Sequence, residues 1–253
     1  MKKTVLIIFI TLISASSIFA KADLKLIDTY LKVSGTKEVI LSLPFQIEKG
    51  YLENVKDKNI DIKSSFDANH TIEYFKIKLA ERFDDITLKK IIVFYNLPIG
   101  KKFKNSSIDA MSAKNSENKA LFYEKLGNNI PSYKRLNILN AFTDRLELSP
   151  VAVHLIGELL GSINAQLIAS DNSEKIMDSI SEQIKDTMFA NSLYAYRGFT
   201  NKELKSIMGY FYSNTGRYEQ KIVSEIFKQF ITESFLQIIE QSQQKNANSI
   251  ISN

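Results

Sequence analysis

Apolar residues recur every three or four positions along most of this chain, which is the spacing of amphipathic helices. The predicted helices cover residues 23–33, 36 to about 55, 68–82, 84–97, 119–126, 139–148, 151–168 and 217 to about 243. A further helix follows a predicted cap at residues 170–172, and its apolar side chains step by four from Ile176 to Met188. The alternation of Phe75, Ile77 and Leu79 leaves a short strand open within 68–82.

Polar segments separate or follow these helices. Residues 56–66 predict a loop, and residues 105–118 predict a loop or a frayed helix. The Gln-, Asn- and Ser-rich residues 244–253 predict a disordered tail. The chain has only 9 Gly and 4 Pro in 253 residues. Because all-β folds use Gly and Pro in their many turns, this scarcity favours long helices with few connections. We therefore predict an all-α fold, built as a helical bundle.

One stretch of sequence occurs twice. Residues 83–102 and 199–218 align without a gap, and Gly100 with Gly216 sets the offset at 216 − 100 = 116. The other identical or similar pairs are Phe83/Phe199, Leu88/Leu204, Lys89/Lys205, Ile91/Ile207, Phe94/Tyr210, Tyr95/Phe211 and Lys101/Arg217. Residues 139–148 also match 24–33 at an offset of 115, and residues 127–131 carry boundary signals. The sequence therefore predicts two related helical units, residues 23–129 and 130–243, packed about a pseudo-twofold axis.

Helix capping gives the repeated residues a structural role. With Asp84 as N-cap, Phe83 and Leu88 occupy the two positions of a hydrophobic staple. In the second copy Thr200 is the predicted N-cap, Phe199 and Leu204 form the staple, and Glu203 completes a capping box. Pro98 predicts that the first signature helix ends at Leu97. Gly100 is expected either to adopt a positive φ or to allow a close helix contact.

The first 22 residues have the pattern of a secretory signal peptide. Lys2 and Lys3 precede a short apolar run, and Ala20-Lys21-Ala22 offers cleavage after Ala20 or after Ala22. An uncleaved anchor is the alternative. The chain has no cysteine, so neither a lipid-modified cysteine nor a disulfide is possible. We expect a periplasmic or secreted protein without an integral membrane span after removal of the signal.

Removal of the signal changes the charge balance. Loss of Lys2, Lys3 and Lys21 lowers the 33 Lys and Arg to 30 against 28 Asp and Glu, so the net charge of +5 becomes +2. A nearly balanced chain gives little support for binding to nucleic acid.

The repeated stretch contains a short motif with a counterpart in a known family. The first copy reads Phe94-Tyr95-Asn96-Leu97-Pro98-Ile99-Gly100-Lys101, and the second reads Tyr210-Phe211-Tyr212-Ser213-Asn214-Thr215-Gly216-Arg217. Both resemble the F-Y-x-S-P-x-G-[KR] signature of exported bacterial proteins catalogued as domain of unknown function 2059. Leu97 replaces the serine, Asn214 replaces the proline, and the aromatic pair is inverted in the second copy. The resemblance implies a helical, exported protein, and it implies no activity or catalytic residue.

Three short strings resemble the motifs of penicillin-binding serine acyltransferases. They are Ser34-Gly35-Thr36-Lys37, Ser170-Asp171-Asn172 and Asn214-Thr215-Gly216. That chemistry needs a serine beside a lysine and a strand edge beside K-T-G. The lysine of K-T-G is absent, and all three strings lie where helix caps are predicted. A hydrolase or acyltransferase that uses Ser34 and Lys37 is therefore the alternative function.

Other polar and aromatic residues have a functional and a structural interpretation. His154 with Glu158 has the spacing of two metal ligands but lacks a third, and His70 lies near a helix start. The basic cluster Lys89, Lys90, Lys101, Lys102 and Lys104 could contact phosphate, lipid head groups or an acidic partner, but its place near a helix C-terminus favours a solvated surface. The aromatics Phe94, Tyr95, Tyr210, Phe211 and Tyr212 suit a ligand groove or a packed core.

These patterns predict no catalytic, metal-binding or cofactor-binding residue. The signature residues are assigned structural roles: Phe83, Leu88, Phe94, Tyr95, Pro98, Gly100, Lys101, Phe199, Leu204, Tyr210, Phe211, Gly216 and Arg217. The predicted function is a non-enzymatic binding module of the cell envelope. Its expected ligand is a protein, a peptide or an apolar molecule, bound in the seam between the two units.

Overall fold

The computed structural model describes residues 21–43, 67–145 and 173–251, and the regular structure there is helical. The α-helices are α1 (Leu24–Ser34), α2 (Ala68–Arg82), α3 (Asp85–Asn96), α4 (Pro98–Met111), α5 (Ser116–Leu126), α6 (Tyr133–Arg145), α7 (Ser173–Ala195), α8 (Asn201–Tyr212) and α9 (Asn214–Ile251). Residues 36–43 are also helical, and Ala113–Asn115 form one 3-10 turn. The prediction of an all-α fold is confirmed. Residues 68–82 are helix, so the strand that alternation left open does not form.

Some helix bounds differ from the predicted ones. α4 continues to Met111, into the segment predicted as a loop or a frayed helix, since no Gly or Pro interrupts it after Gly100. α6 begins at Tyr133, earlier than predicted. α9 runs to Ile251, so residues 244–251 are helical instead of a disordered tail, and that segment also lacks Gly and Pro. Outside the described residues lie residues 1–20 of the predicted signal peptide 1–22 and the predicted helical segments 44–55, 146–148 and 151–168.

One continuous apolar core joins α1–α4 with α6–α9. Helix α5 contributes no fully buried side chain and only borders this core. None of the helices in the described ranges combines the length and the apolarity needed to span a bilayer. The described residues of the two predicted units therefore share this one core.

The helices pack in matching pairs. α1 packs on α2 and α3, as α6 packs on α7 and α8, and α3 contacts α4 as α8 contacts α9. One helix of each half crosses to the other half: α4 packs on α7 and α8, and α9 packs on α2 and α3. The two halves of the chain are thus interleaved, and neither encloses a separate core.

Candidate functional site

The two signature helices begin at the predicted caps. Asp84 Oδ1 accepts a hydrogen bond from the Thr87 N–H at 2.8 Å, and this bond holds the pKa of Asp84 below its ordinary value. Thr200 and Glu203 form the predicted capping box at the start of α8. The staple residues Phe83, Leu88, Phe199 and Leu204 are all buried in the core. The predicted caps and the end of α3 before Leu97 are confirmed.

Gly100 lets the backbone of α4 approach that of α3, and Gly216 lets the backbone of α9 approach that of α8. A Cβ built on Gly100 would lie 2.2 Å from the carbonyl oxygen of Phe94, and one on Gly216 would lie 2.2 Å from that of Tyr210. Neither glycine has a positive φ; among the described residues only Gly35, which ends α1, does so, at 83°. Of the two roles expected for Gly100, the close helix contact is therefore the one found.

Aromatic rings fill the space between the two signatures. The rings of Phe94 and Tyr210 stack at a centroid distance of 3.6 Å and an interplanar angle of 1°. Tyr95 and Phe211 flank the stack, with mirrored edge contacts of 6.2 Å to Tyr210 and to Phe94. Phe94, Tyr95 and Phe211 are buried, and Tyr212 is exposed. Of the two interpretations of these aromatics, the packed core is therefore the one found for Phe94, Tyr95 and Phe211.

A buried carboxyl lies next to this stack. Glu219 on α9 is only 3% exposed, and it accepts hydrogen bonds from the hydroxyls of Tyr30 on α1, at 3.0 Å, and of Tyr210 on α8. The Tyr95 hydroxyl on α3 interacts with the same carboxyl. We call Glu219 and these three tyrosines the carboxyl junction. It connects four helices through one side chain.

Burial dominates the electrostatics of the junction. It raises the pKa of Glu219 to about 7, although the three tyrosine hydroxyls act in the opposite direction by stabilising the carboxylate. Burial, followed by the nearby carboxylate, raises the pKa of Tyr30 and Tyr95 well above the ordinary value. These phenols therefore stay neutral, and Glu219 is the group of the junction that titrates near neutral pH.

Sequence reasoning did not identify Glu219. The available signal was its position on the apolar row of α9, three residues before Ile222 and seven before Ile226, both of which are buried. A charged residue on such a row is a candidate for a buried ionisable group.

An open depression lies beside the seam. It has a volume of about 350 Å³ and is lined by Pro98, Ile99, Lys102, Lys202, Glu203 and Ser206. Lys102 Nζ lies 2.7 Å from Glu203 Oε1 and 4.4 Å from the centroid of the Phe199 ring. This contact with Lys102 lowers the pKa of Glu203 to about 2. Lys102 and Glu203 thus neutralise each other, and Lys202 is the third charged side chain of the lining.

The outer side of α3 carries an exposed apolar row. Ile86, Val93 and Leu97 are 69%, 61% and 47% exposed, and we call these three residues the α3 ridge. At an offset of 116 the corresponding residues of α8 are Lys202, Gly209 and Ser213, which are exposed as well. The same outer face is thus apolar on one signature helix and polar on the other.

Two lysines of the predicted basic cluster are engaged in ion pairs. Lys89 Nζ lies 3.7 Å from Asp85 on the same helix, and Lys102 pairs with Glu203. Lys90 and Lys101 are exposed, and no ion pair to either occurs within the described residues. Lys90 lies four residues after Ile86 along α3, so it borders the ridge.

The residues of the acyltransferase alternative do not form a catalytic cluster where they are described. Ser34 Oγ lies 2.8 Å from Thr36 Oγ1, and Lys37 is exposed without a hydrogen bond to Ser34. Asn214 and Gly216 begin a helix instead of the strand that K-T-G requires. Asp171 lies outside the described residues.

Neither histidine contributes to a metal site in the described part of the chain. His70 is exposed in the first turn of α2, where its backbone N–H donates to Asp67 at 2.7 Å. His154 and Glu158 lie outside the described residues. Within the described ranges, no group of three or more His, Asp and Glu side chains is placed to hold a metal ion.

Comparison with family models, with curated proteins and with solved structures finds no match to this chain. The resemblance to domain of unknown function 2059 stays a prediction based on the signature residues.

Proposed function

We propose that this protein is a non-enzymatic interaction module of the cell envelope, exported by its predicted signal peptide, and that the α3 ridge is its docking surface. The proposed occupant is an amphipathic segment of a partner protein that carries acidic residues beside an apolar row. The observation that carries this proposal is the exposure of Ile86, Val93 and Leu97 in one row of a helix whose opposite side is packed.

The spacing of the ridge fits an elongated partner. Its residues stand at positions i, i+7 and i+11, and at a rise of about 1.5 Å per residue the row is about 16 Å long. Recognition of one helix by another uses anchors with such spacings. Burying the exposed parts of three aliphatic side chains would contribute roughly 3–5 kcal/mol. Because association costs about 4 kcal/mol or more, the ridge needs additional contacts.

Lys90 and Lys101 favour an acidic partner as the source of those contacts. Both ammonium groups are exposed near the ridge and are not engaged in ion pairs within the described residues. An acidic side chain at the edge of the partner's apolar row would complement either of them. Such complementarity mainly raises the association rate and the specificity, while the apolar row supplies the affinity.

We also propose that the chain arose by duplication of one helical unit, which makes α8 the matched reference for α3. The paired helix contacts, the equal glycine contacts at residues 100 and 216, and the mirrored ring distances support this proposal. α8 packs in the corresponding arrangement with Lys202, Gly209 and Ser213 on its outer face. The fold therefore does not require apolar residues at these positions, which points to an interaction as the reason for the ridge.

Site-specific photo-crosslinking tests the proposed function. A benzophenone amino acid replaces Val93 in one full-length variant and Gly209, the corresponding position of α8, in another. A Cβ at Gly209 meets no atom within 4 Å, so the control position accepts a side chain. In the cells that produce the protein, irradiation should give a discrete protein adduct from position 93 and not from position 209. Equal adduct patterns, or no adduct from either, would reject the ridge as a docking surface.

Two measurements test the class of partner and the export. A synthetic Leu/Glu amphipathic helix should bind the purified chain more tightly than its Leu/Lys counterpart, and the preference should weaken in Lys90→Glu. Stronger binding of the basic peptide would contradict an acidic partner. Cell fractionation should recover a shortened chain from the envelope, whereas a full-length cytoplasmic chain would contradict export.

A further inference from the structure

The carboxyl junction and the α3 ridge lie on opposite sides of the same helical turns. Tyr95 faces Glu219 from the inner side of α3, while its neighbours Val93 and Leu97 stand on the outer side. Phe94, also on the inner side, stacks on Tyr210, whose hydroxyl bonds to Glu219. The packed side of α3 is thus linked to one carboxyl group, directly through Tyr95 and indirectly through Phe94 and Tyr210.

We propose that Glu219 is a proton-dependent lock for α3: its neutral form holds the junction closed, and its ionised form loosens the junction and weakens docking at the α3 ridge. The coupling to docking rests on the proposed function, whereas the lock itself does not.

The surroundings of Glu219 explain why ionisation is costly. The titratable groups that interact with it are Tyr30 from α1, Tyr95 from α3 and Tyr210 from α8, and α9 itself supplies none. Within the described residues, then, the carboxylate faces hydroxyl donors and no cation. Hydrogen bonds stabilise a buried charge without a counterion only partly, and contact with water lowers its free energy further. Opening the junction provides that access.

Linkage gives the direction and size of the effect. In the closed state the pKa of Glu219 is about 7, and in an open, hydrated state it returns towards 4.5. Between these values the open state loses its proton first, so opening becomes more favourable as the pH rises. From about pH 5.5 to pH 8 the opening equilibrium should increase roughly tenfold or more.

Hydrogen exchange on the full chain tests the lock. Peptides from α3 and from the start of α9 are compared at the two pH values, after correction for the intrinsic exchange rate, in the natural chain and in Glu219→Gln. The amide keeps the size of the side chain but cannot ionise. The natural chain should show at least a tenfold greater increase in the opening of α3 than the variant, and α5, which borders the core, serves as an internal reference. Equal pH dependence of α3 in both chains would overturn the proposal.

A second variant covers the case in which Glu219→Gln fails to fold. Tyr95→Phe removes one hydroxyl that stabilises the carboxylate and keeps the buried ring, so the closed-state pKa of Glu219 should rise. The increase in opening should then be larger and continue to higher pH than in the natural chain. An unchanged pH dependence of opening would contradict the lock. Photo-crosslinking from position 93 then separates the two proposals. If the adduct yield falls as the pH rises in the chain with Glu219 but not in Glu219→Gln, the coupling is supported. If the yield does not change with pH, the coupling is overturned. Absence of any adduct rejects the docking surface, while the exchange result still decides the lock.

Discussion

Replacing Gly100 with alanine tests the close helix crossing at the signature. The new Cβ would lie 2.2 Å from the carbonyl oxygen of Phe94 and 2.8 Å from the Cα of Tyr95. Both are backbone atoms, so no change of rotamer can relieve the clash. Relief requires α4 to move away from α3 by about 1 Å, which would open a gap beside the stacked rings of Phe94 and Tyr210.

The expected cost follows from known overpacking. Inserting a methyl group into a packed core costs about 1–3 kcal/mol when side chains can adjust. Here only backbones can adjust, and the movement also removes dispersion contacts at the aromatic stack. We therefore expect Gly100→Ala to lower the free energy of unfolding by about 3 kcal/mol or more. For a chain of this size that corresponds to a fall in Tm of roughly 10 °C.

Urea unfolding, followed by circular dichroism, provides the measurement, and Gly209→Ala provides the matched control. Gly209 lies in a signature helix too, but its added Cβ meets no atom within 4 Å. Since alanine favours the helix more than glycine does, Gly209→Ala should stabilise the protein by about 0.5–1 kcal/mol. If Gly100→Ala destabilises the protein no more than Gly209→Ala, the backbone contact at the crossing is not as close as described.

Three further predictions concern other parts of the chain. Thr200→Ala should lower the free energy of unfolding by about 1 kcal/mol through loss of the capping box, and Thr200→Ser should retain it; equal losses in urea unfolding would contradict the cap. Because the folded pKa of Glu219 is about 7 against an ordinary 4.5, its stabilising contribution is complete below about pH 4.5 and is lost as the pH rises through 7. Relative to Glu219→Gln, the natural chain should therefore lose about 2–3 kcal/mol between about pH 4.5 and pH 8, and parallel stability curves would refute this. The mature chain should begin at Lys21, because Ala22 is buried and its N–H donates to the Ala80 carbonyl at 3.0 Å; an intact mass showing a start at Asp23 would contradict this cleavage site.

The features that sequence could predict are those set by neighbouring residues. The caps at Asp84 and Thr200 and the end of α3 before Pro98 depend on side chains within one helical turn, so local patterns identify them. The staple residues follow from the same caps. Periodicity likewise located most helices, although not their ends, because Gln-, Asn- and Ser-rich segments such as residues 244–251 lack a breaker and can extend a helix.

The features that sequence missed depend on residues far apart in the chain. The hydrogen bond from Tyr30 to Glu219 spans 189 residues, and no local pattern indicates that these two side chains meet. The filling of the seam by Phe94 and Tyr210 depends likewise on how α3 and α8 come together. The α3 ridge is visible in the sequence as apolar residues, but only the packing of α3 shows which of them stay exposed.

The crossing of α4 and α9 to opposite halves has a consequence for how the protein folds. α9 completes the surroundings of α2 and α3, so the first half of the chain cannot finish burying its apolar surface until the last helix has been synthesised. Pairings of such long range close large loops, which slows folding and lowers the stability of partial intermediates. The polypeptide should therefore fold late and as one cooperative unit.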